Sequence, residues 1–219
     1  MPLHLQREIE ELKKEILYLG AIVEENVRRA VKSIEERDPL LAQQVIQIDN
    51  EIDKREVKIE EDCLKILALH QPVAIDLRFI VAVLKLNTDL ERIGDLAVNI
   101  AERSLYLANT ERTSVTFDYR PMTAKTKEML RKSLDSFVNM NPDLAREVCA
   151  DDDPVDAMEQ QIIKQVELAM RQHPDQVDRL LHYMFVAKHL ERIADHATNI
   201  SEDVIYTVKG EIVRHGGNV

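Results

Sequence analysis

Leu90-Glu-Arg-Ile-Gly-Asp-Leu-Ala-Val-Asn-Ile-Ala-Glu-Arg103 returns one hundred residues later as Leu190-Glu-Arg-Ile-Ala-Asp-His-Ala-Thr-Asn-Ile-Ser-Glu-Asp203, with nine of fourteen positions identical. Shared helical composition does not produce that degree of match, so the chain reads as a duplication. Within the first copy Leu86, Leu90, Ile93, Ala97 and Ile100 recur at spacings of three and four, the period of one helix face. A second match lies upstream, where Asp49, Asp53 and Glu56 correspond to Asp152, Asp156 and Glu159 at an offset of 103. In the second helical stretch Val45, Ile48, Ile52, Ile59, Cys63 and Ile66 keep the same period.

Prolines mark the elements. Asp38-Pro39, Gln71-Pro72, Arg120-Pro121, Asn141-Pro142 and His173-Pro174 divide the chain into six segments. Proline suits the first helical position, and Asp or Asn before it suits the N-cap. The spacing predicts helices over 4–37, 39–70, 72–108, 121–139, 142–172 and 174–209. The segment 109–120, with Thr110, Thr113, Ser114 and Thr116, lacks the period and reads as a linker. The expected fold is all-α: two tandem three-helix bundles in an elongated six-helix protein, the first over 1–108 and the second over 121–219.

Composition agrees with helices and narrows function. Of 219 residues, 45% are apolar and 32% charged, with five glycines and no tryptophan. A net charge of −11 without a basic run argues against nucleic acid and anionic membranes as partners. Cys63 and Cys149 stand far apart in helical stretches and read as two buried thiols. The opening residues turn charged at once, and no apolar run reaches the length of a membrane span, so a cytoplasmic location is expected.

Four carboxylate pairs stand four residues apart: Asp49/Asp53, Glu91/Asp95, Asp152/Asp156 and Glu191/Asp195. Residues i and i+4 share a helix face. Glu56, Glu159, Asn99 and Asn199 extend the four stripes. One such pair is an ordinary solvated face; four in corresponding places of a duplication are less so. Upstream, Leu77, Ile80 and Leu84 in the first copy, with Val177, Leu180 and Met184 in the second, put apolar residues on the same side. The acids are therefore expected to face another element. If the helices meet there, two charges about 4 Å apart repel by about 4 kcal/mol at an effective dielectric of 20. A bound cation would relieve that, and oxygen-only ligands favour Mg, Ca, Mn or iron, with Zn also a candidate. His196 and His189 replace Leu96 and Asp89 of the first copy and read as boundary residues. Pro154 stands where the first copy has Glu51, so a new helix is expected to start there, making Asp152 the least secure ligand.

Catalytic signatures are missing. None of the seven histidines has Glu three residues before it, as a di-metal carboxylate bundle requires, and no glycine pattern fits a phosphate loop. The expectation is no enzyme.

The two copies at Leu90–Glu102 and Leu190–Glu202, with Gln71-Pro72…Asp76-Leu77-Arg78, resemble the PhoU family of bacterial phosphate-transport regulators over essentially the whole chain. The resemblance implies paired three-helix bundles, often dimeric, carrying metal ions on the acidic motifs. It implies negative regulation of the phosphate-starvation response and of phosphate uptake, through contact with the ATPase subunit of the phosphate ABC transporter and its sensor histidine kinase. The competing expectation is a metal-free acidic scaffold that docks basic partner surfaces.

Overall fold

The computed structural model describes residues 3–210. Its helices are α1 Leu3–Glu36, α2 Pro39–His70, α3 Ala74–Ala108, α4 Arg120–Val138, α5 Pro142–Ala150, α6 Asp152–Gln172 and α7 Val177–Lys209, with a 3₁₀ turn at Pro174–Gln176. The all-α expectation is met: two three-helix units, the fifth rod of six being broken into α5 and α6. In the first unit α1, α2 and α3 pack mutually; in the second α7 packs against α4, α5 and α6. The units meet where α3 lies on α7 and α1 on α4, and one apolar core runs through both.

Sequence explains the individual elements. In α1, Leu5, Ile9, Leu12, Ile16, Leu19 and Val23 are buried at alternating steps of four and three, a bundle seam. Asn26 continues that seam fully buried and donates from Nδ2 to Val45 O at 3.2 Å, which fixes the register of α1 on α2. Asp38 caps α2 by accepting from Leu40 N and Leu41 N, and Asn141 caps α5 by accepting from Asp143 N and Leu144 N. Both caps were expected.

The third and fifth rods differ from expectation. Gln71 closes α2 in the left-handed region (φ 45°), and α3 starts at Ala74, two residues later than expected. The fifth rod breaks at Asp151, which ends α5 and precedes α6. Pro154 then occupies the first turn of α6, where its missing N–H has no helical partner to lose. Lys125 Nζ at 2.6 Å and Lys132 Nζ at 3.4 Å hold the Asp151 carboxylate at the break. Of the two thiols, Cys63 is buried while Cys149 is partly exposed, because it lies on the short α5 beside the break.

Between α3 and α4 the chain runs without helix through 109–119, with Phe117 and Tyr119 buried. Tyr119 Oη donates to Tyr183 O at 2.7 Å, tying this segment to α7. Tyr119→Phe keeps the ring and removes the bond. It is expected to cost about 1 kcal/mol, read as a lower urea midpoint at unchanged slope.

Candidate metal centre

The first acidic cluster lies where α2 and α3 run antiparallel at close range. Asn87, buried in α3, donates from Nδ2 to Glu56 O at 2.8 Å and sets the register. Two turns further on, Gly94 removes the side chain between the helices: a Cβ there would stand 3.1 Å from Asp49 Oδ1 and 3.2 Å from Ile52 Cδ1. Asp49 is therefore half-buried, and its Oδ1 is shielded with no hydrogen-bond partner. Burial first, then Asp53, Asp95 and Glu91, push its pKa up to about 6. Glu91 is raised by burial and then by Asp95, Glu56 and Asp53, with Arg92 opposing weakly. Glu56 is raised by burial, Glu60 and Asp53. Asp53 and Asp95 lie exposed at the rim, and Asn99 is half-buried one turn beyond Asp95.

The second cluster lies between α6 and α7. Asp152 is pushed up to about 6 by burial, Asp195 and Asp156, against the hydrogen bond that its Oδ1 accepts from Thr198 Oγ1 at 3.3 Å. Glu191 rises to about 7 through burial, Asp195, Glu159, Asp156 and Asp152. Asp195 is raised by burial and Asp156, against His196 and Arg192. Glu159 has Lys188 Nζ at 3.9 Å, a cation that the first copy replaces with Thr88. Asn199 is exposed. Thus all ten acids fall into two groups, each drawn from two facing helices and mutually repulsive.

The fit to a metal ion follows from donor chemistry. Each cluster offers mainly carboxylate oxygens, several of them resisting ionisation, and in the first Asp49 Oδ1 has no donor. Asp49, Asp53, Glu91 and Asp95 would hold an ion in the first site, and Asp152, Asp156, Glu191 and Asp195 in the second, with hard cations preferred. The cages are not preassembled. Among the described residues no three His, Cys, Asp or Glu side chains are gathered to hold an ion. Binding requires side-chain rotation among staggered conformers.

The two histidines beside the motifs are turned elsewhere. His196 Nδ1 lies 2.9 Å from Asp89 Oδ1, both largely buried in the seam between α3 and α7. His189 packs near Phe185 with ring centroids 6.5 Å apart. Burial first, then Arg103, pushes the pKa of His182 down and that of His189 down to about 4. Residues that position the clusters escaped the sequence reading: Asn87, Gly94, Lys188 and Thr198. Asn87 had a signal, since a polar residue interrupts an apolar stripe there. The others depend on which helices face each other.

The halves match the PhoU domain separately, over residues 16–104 and 119–204. The chain belongs to the PhoU family. A Pseudomonas putida relative, named as a phosphate-specific transport system accessory protein PhoU homolog, is 39% identical over 96% of this chain and 82% of its own length. The Escherichia coli K12 PhoU, of the same accessory-protein name, is 32% identical over 96% of this chain and 87% of its own. The crystal structure of PhoU from Pseudomonas aeruginosa superposes with a TM-score of 0.90 at 36% identity, covering 94% of this chain and 99% of that one. The PhoU structure from Streptococcus pneumoniae, titled a phosphate transport system regulatory protein, gives 0.89 at 29% identity, covering 96% and 100%.

Proposed function

We propose that this PhoU-family chain is a metal-binding regulator of phosphate transport. It would act in the cytoplasm as a homodimeric adaptor between the ATPase subunit of the phosphate ABC transporter and a sensor histidine kinase, restraining phosphate uptake and the starvation response. The accessory role rests on its relatives' names. The metal reading rests on one observation: in both copies burial, and then the neighbouring carboxylates of the facing helix, raise the pKa values of half-buried acids, and Asp49 Oδ1 has no partner. No helix among the described residues is long and apolar enough to cross a membrane, which agrees with a partner that meets the transporter from one side. A bound cation would tie α2 to α3 and α6 to α7 and so set the shape that partners meet.

Elemental analysis of protein purified without chelator tests the metal. The expected result is bound metal in the wild type and its loss in the Glu91→Ala/Asp95→Ala/Glu191→Ala/Asp195→Ala variant; equal content in both removes the assignment. Co-purification of the two partners under phosphate excess and starvation tests the adaptor role. A metal-free acidic scaffold is the second reading, favoured by the open arrangement of the carboxylates. It requires melting temperatures that ignore chelator and added cation.

A further inference from the structure

The seam between α3 and α7 has an approximate twofold relation, because a residue of one helix corresponds to the residue one hundred places away on the other. Its two flanks are unequal. On one flank the facing side chains are paired: Lys85 Nζ meets Asp203 Oδ1 at 2.9 Å, and His196 Nδ1 meets Asp89 Oδ1 at 2.9 Å. Applying the offset of 100 to those residues gives the other flank: Phe185 for Lys85, Arg103 for Asp203, and His189 for Asp89. The carboxylates have been exchanged for a guanidinium and an imidazole, and His182 stands where Ala82 stands opposite.

That exchange leaves polar nitrogens unanswered. Arg103 Nε, His182 Nδ1 and His189 Nδ1 are each shielded from solvent and without a hydrogen-bond partner. The carboxylate within 4 Å of Arg103 among the described residues is its chain neighbour Glu102, at 3.9 Å. Aromatic faces fix the arrangement: the Arg103 guanidinium lies 5.6 Å from the Phe185 centroid, and His182 stacks on Tyr106 at 3.7 Å. Native folds leave few buried polar groups unpaired, so three in one patch around a cation call for an explanation. The Arg103 side chain is 31% exposed, so its outer N–H groups are open to a ligand.

We propose that Arg103, His182 and His189 form a binding site for a small tetrahedral oxyanion of the phosphate type, on the α3–α7 seam and distinct from the acidic clusters. Arginine presents a planar fork that matches two oxygens of such an anion. Each neutral imidazole can present one N–H, from Nδ1 when it takes that tautomer. The anion supplies the negative charge that Asp203 and Asp89 supply on the opposite flank.

Isothermal titration of the full, chelator-treated protein with inorganic phosphate tests this, since without metal the acidic clusters repel the anion. Sodium chloride at matched ionic strength is the control. The expected result is saturable binding, weakened roughly tenfold or more by Arg103→Gln, as loss of a charge-assisted pair implies. It should persist in Lys85→Gln and in the four-site acidic variant. The absence of saturable heat, or an unchanged affinity in Arg103→Gln, overturns the proposal. If Arg103→Gln fails to fold, as judged by circular dichroism, His182→Gln decides: weaker binding is expected and equal binding refutes. A signal that survives Arg103→Gln but vanishes in the acidic variant also refutes it.

Discussion

Chelator-treated protein is expected to lose stability as pH rises from 5 to 8 through its acidic clusters, and a divalent cation is expected to restore it most at pH 8. Asp49, Asp152 and Glu191 hold folded pKa values of about 6, 6 and 7, against ordinary values of 3.8, 3.8 and 4.5. The folded state thus binds these protons more tightly than the unfolded one. Their contribution is complete below about pH 4, falls as pH passes through 6 and 7, and is gone at pH 8. At about 1.4 kcal/mol per pKa unit, and discounting for solvent screening, the three together contribute on the order of 2–3 kcal/mol between pH 8 and 5. For a chain of this length that is roughly 5–10 °C in melting temperature. His182 and His189 act in the opposite direction below about pH 6.5, since their folded pKa values are lowered. The quantity to compare is therefore wild type against Asp49→Asn/Asp152→Asn/Glu191→Gln, which retains the histidines. A difference between the two that does not change with pH refutes the coupling, and a cation effect equal at pH 5 and pH 8 refutes competition between metal and protons.

Asp49→Asn alone is expected to do two opposite things. It removes a half-buried charge whose Oδ1 has no donor and which Asp53, Asp95 and Glu91 repel, so the metal-free protein should gain about 1–2 kcal/mol. It also removes the most enclosed ligand of the first cluster, so affinity there for Mn²⁺ should fall by a factor on the order of 100 while the second cluster still binds. Asp152→Asn should have the smaller effect on metal-free stability, because Thr198 already donates to Asp152 and Lys188 lies beside the neighbouring Glu159. Chelated melts and Mn²⁺ titrations of the two variants, side by side, measure both effects. Titration curves for Asp49→Asn that match the wild type exclude Asp49 as a ligand.

Much of this architecture is legible in the sequence. Asp38-Pro39 and Asn141-Pro142 are local signals, and the caps they imply are formed because capping needs only neighbouring backbone. Pro154 likewise signals a helix start, though the break falls earlier, at Asp151, and Asp152 stands inside α6 and not in the kink expected for it. Gln71-Pro72 misled, because closure of α2 depends on a left-handed residue, and glutamine gives no hint of one. The grouping of the acids followed from periodicity and duplication. Their degree of exposure did not, since Asp53, Asp95 and Asp195 lie at the rim while Asp49 is held inward by the missing side chain of Gly94. Pairs such as His196 with Asp89 join residues 107 apart and depend on how the two halves dock, which no local pattern encodes.

That docking also fixes which half can marry which. Were two first halves to associate through the same seam, Lys85 would confront Arg103, and Asp89 would be pressed against Leu96 with no imidazole to receive it. Two second halves would set Phe185 against Asp203 and His189 against His196. Divergence after duplication has thus made self-pairing of either half unfavourable and left the covalently joined, unlike partners as the complementary couple.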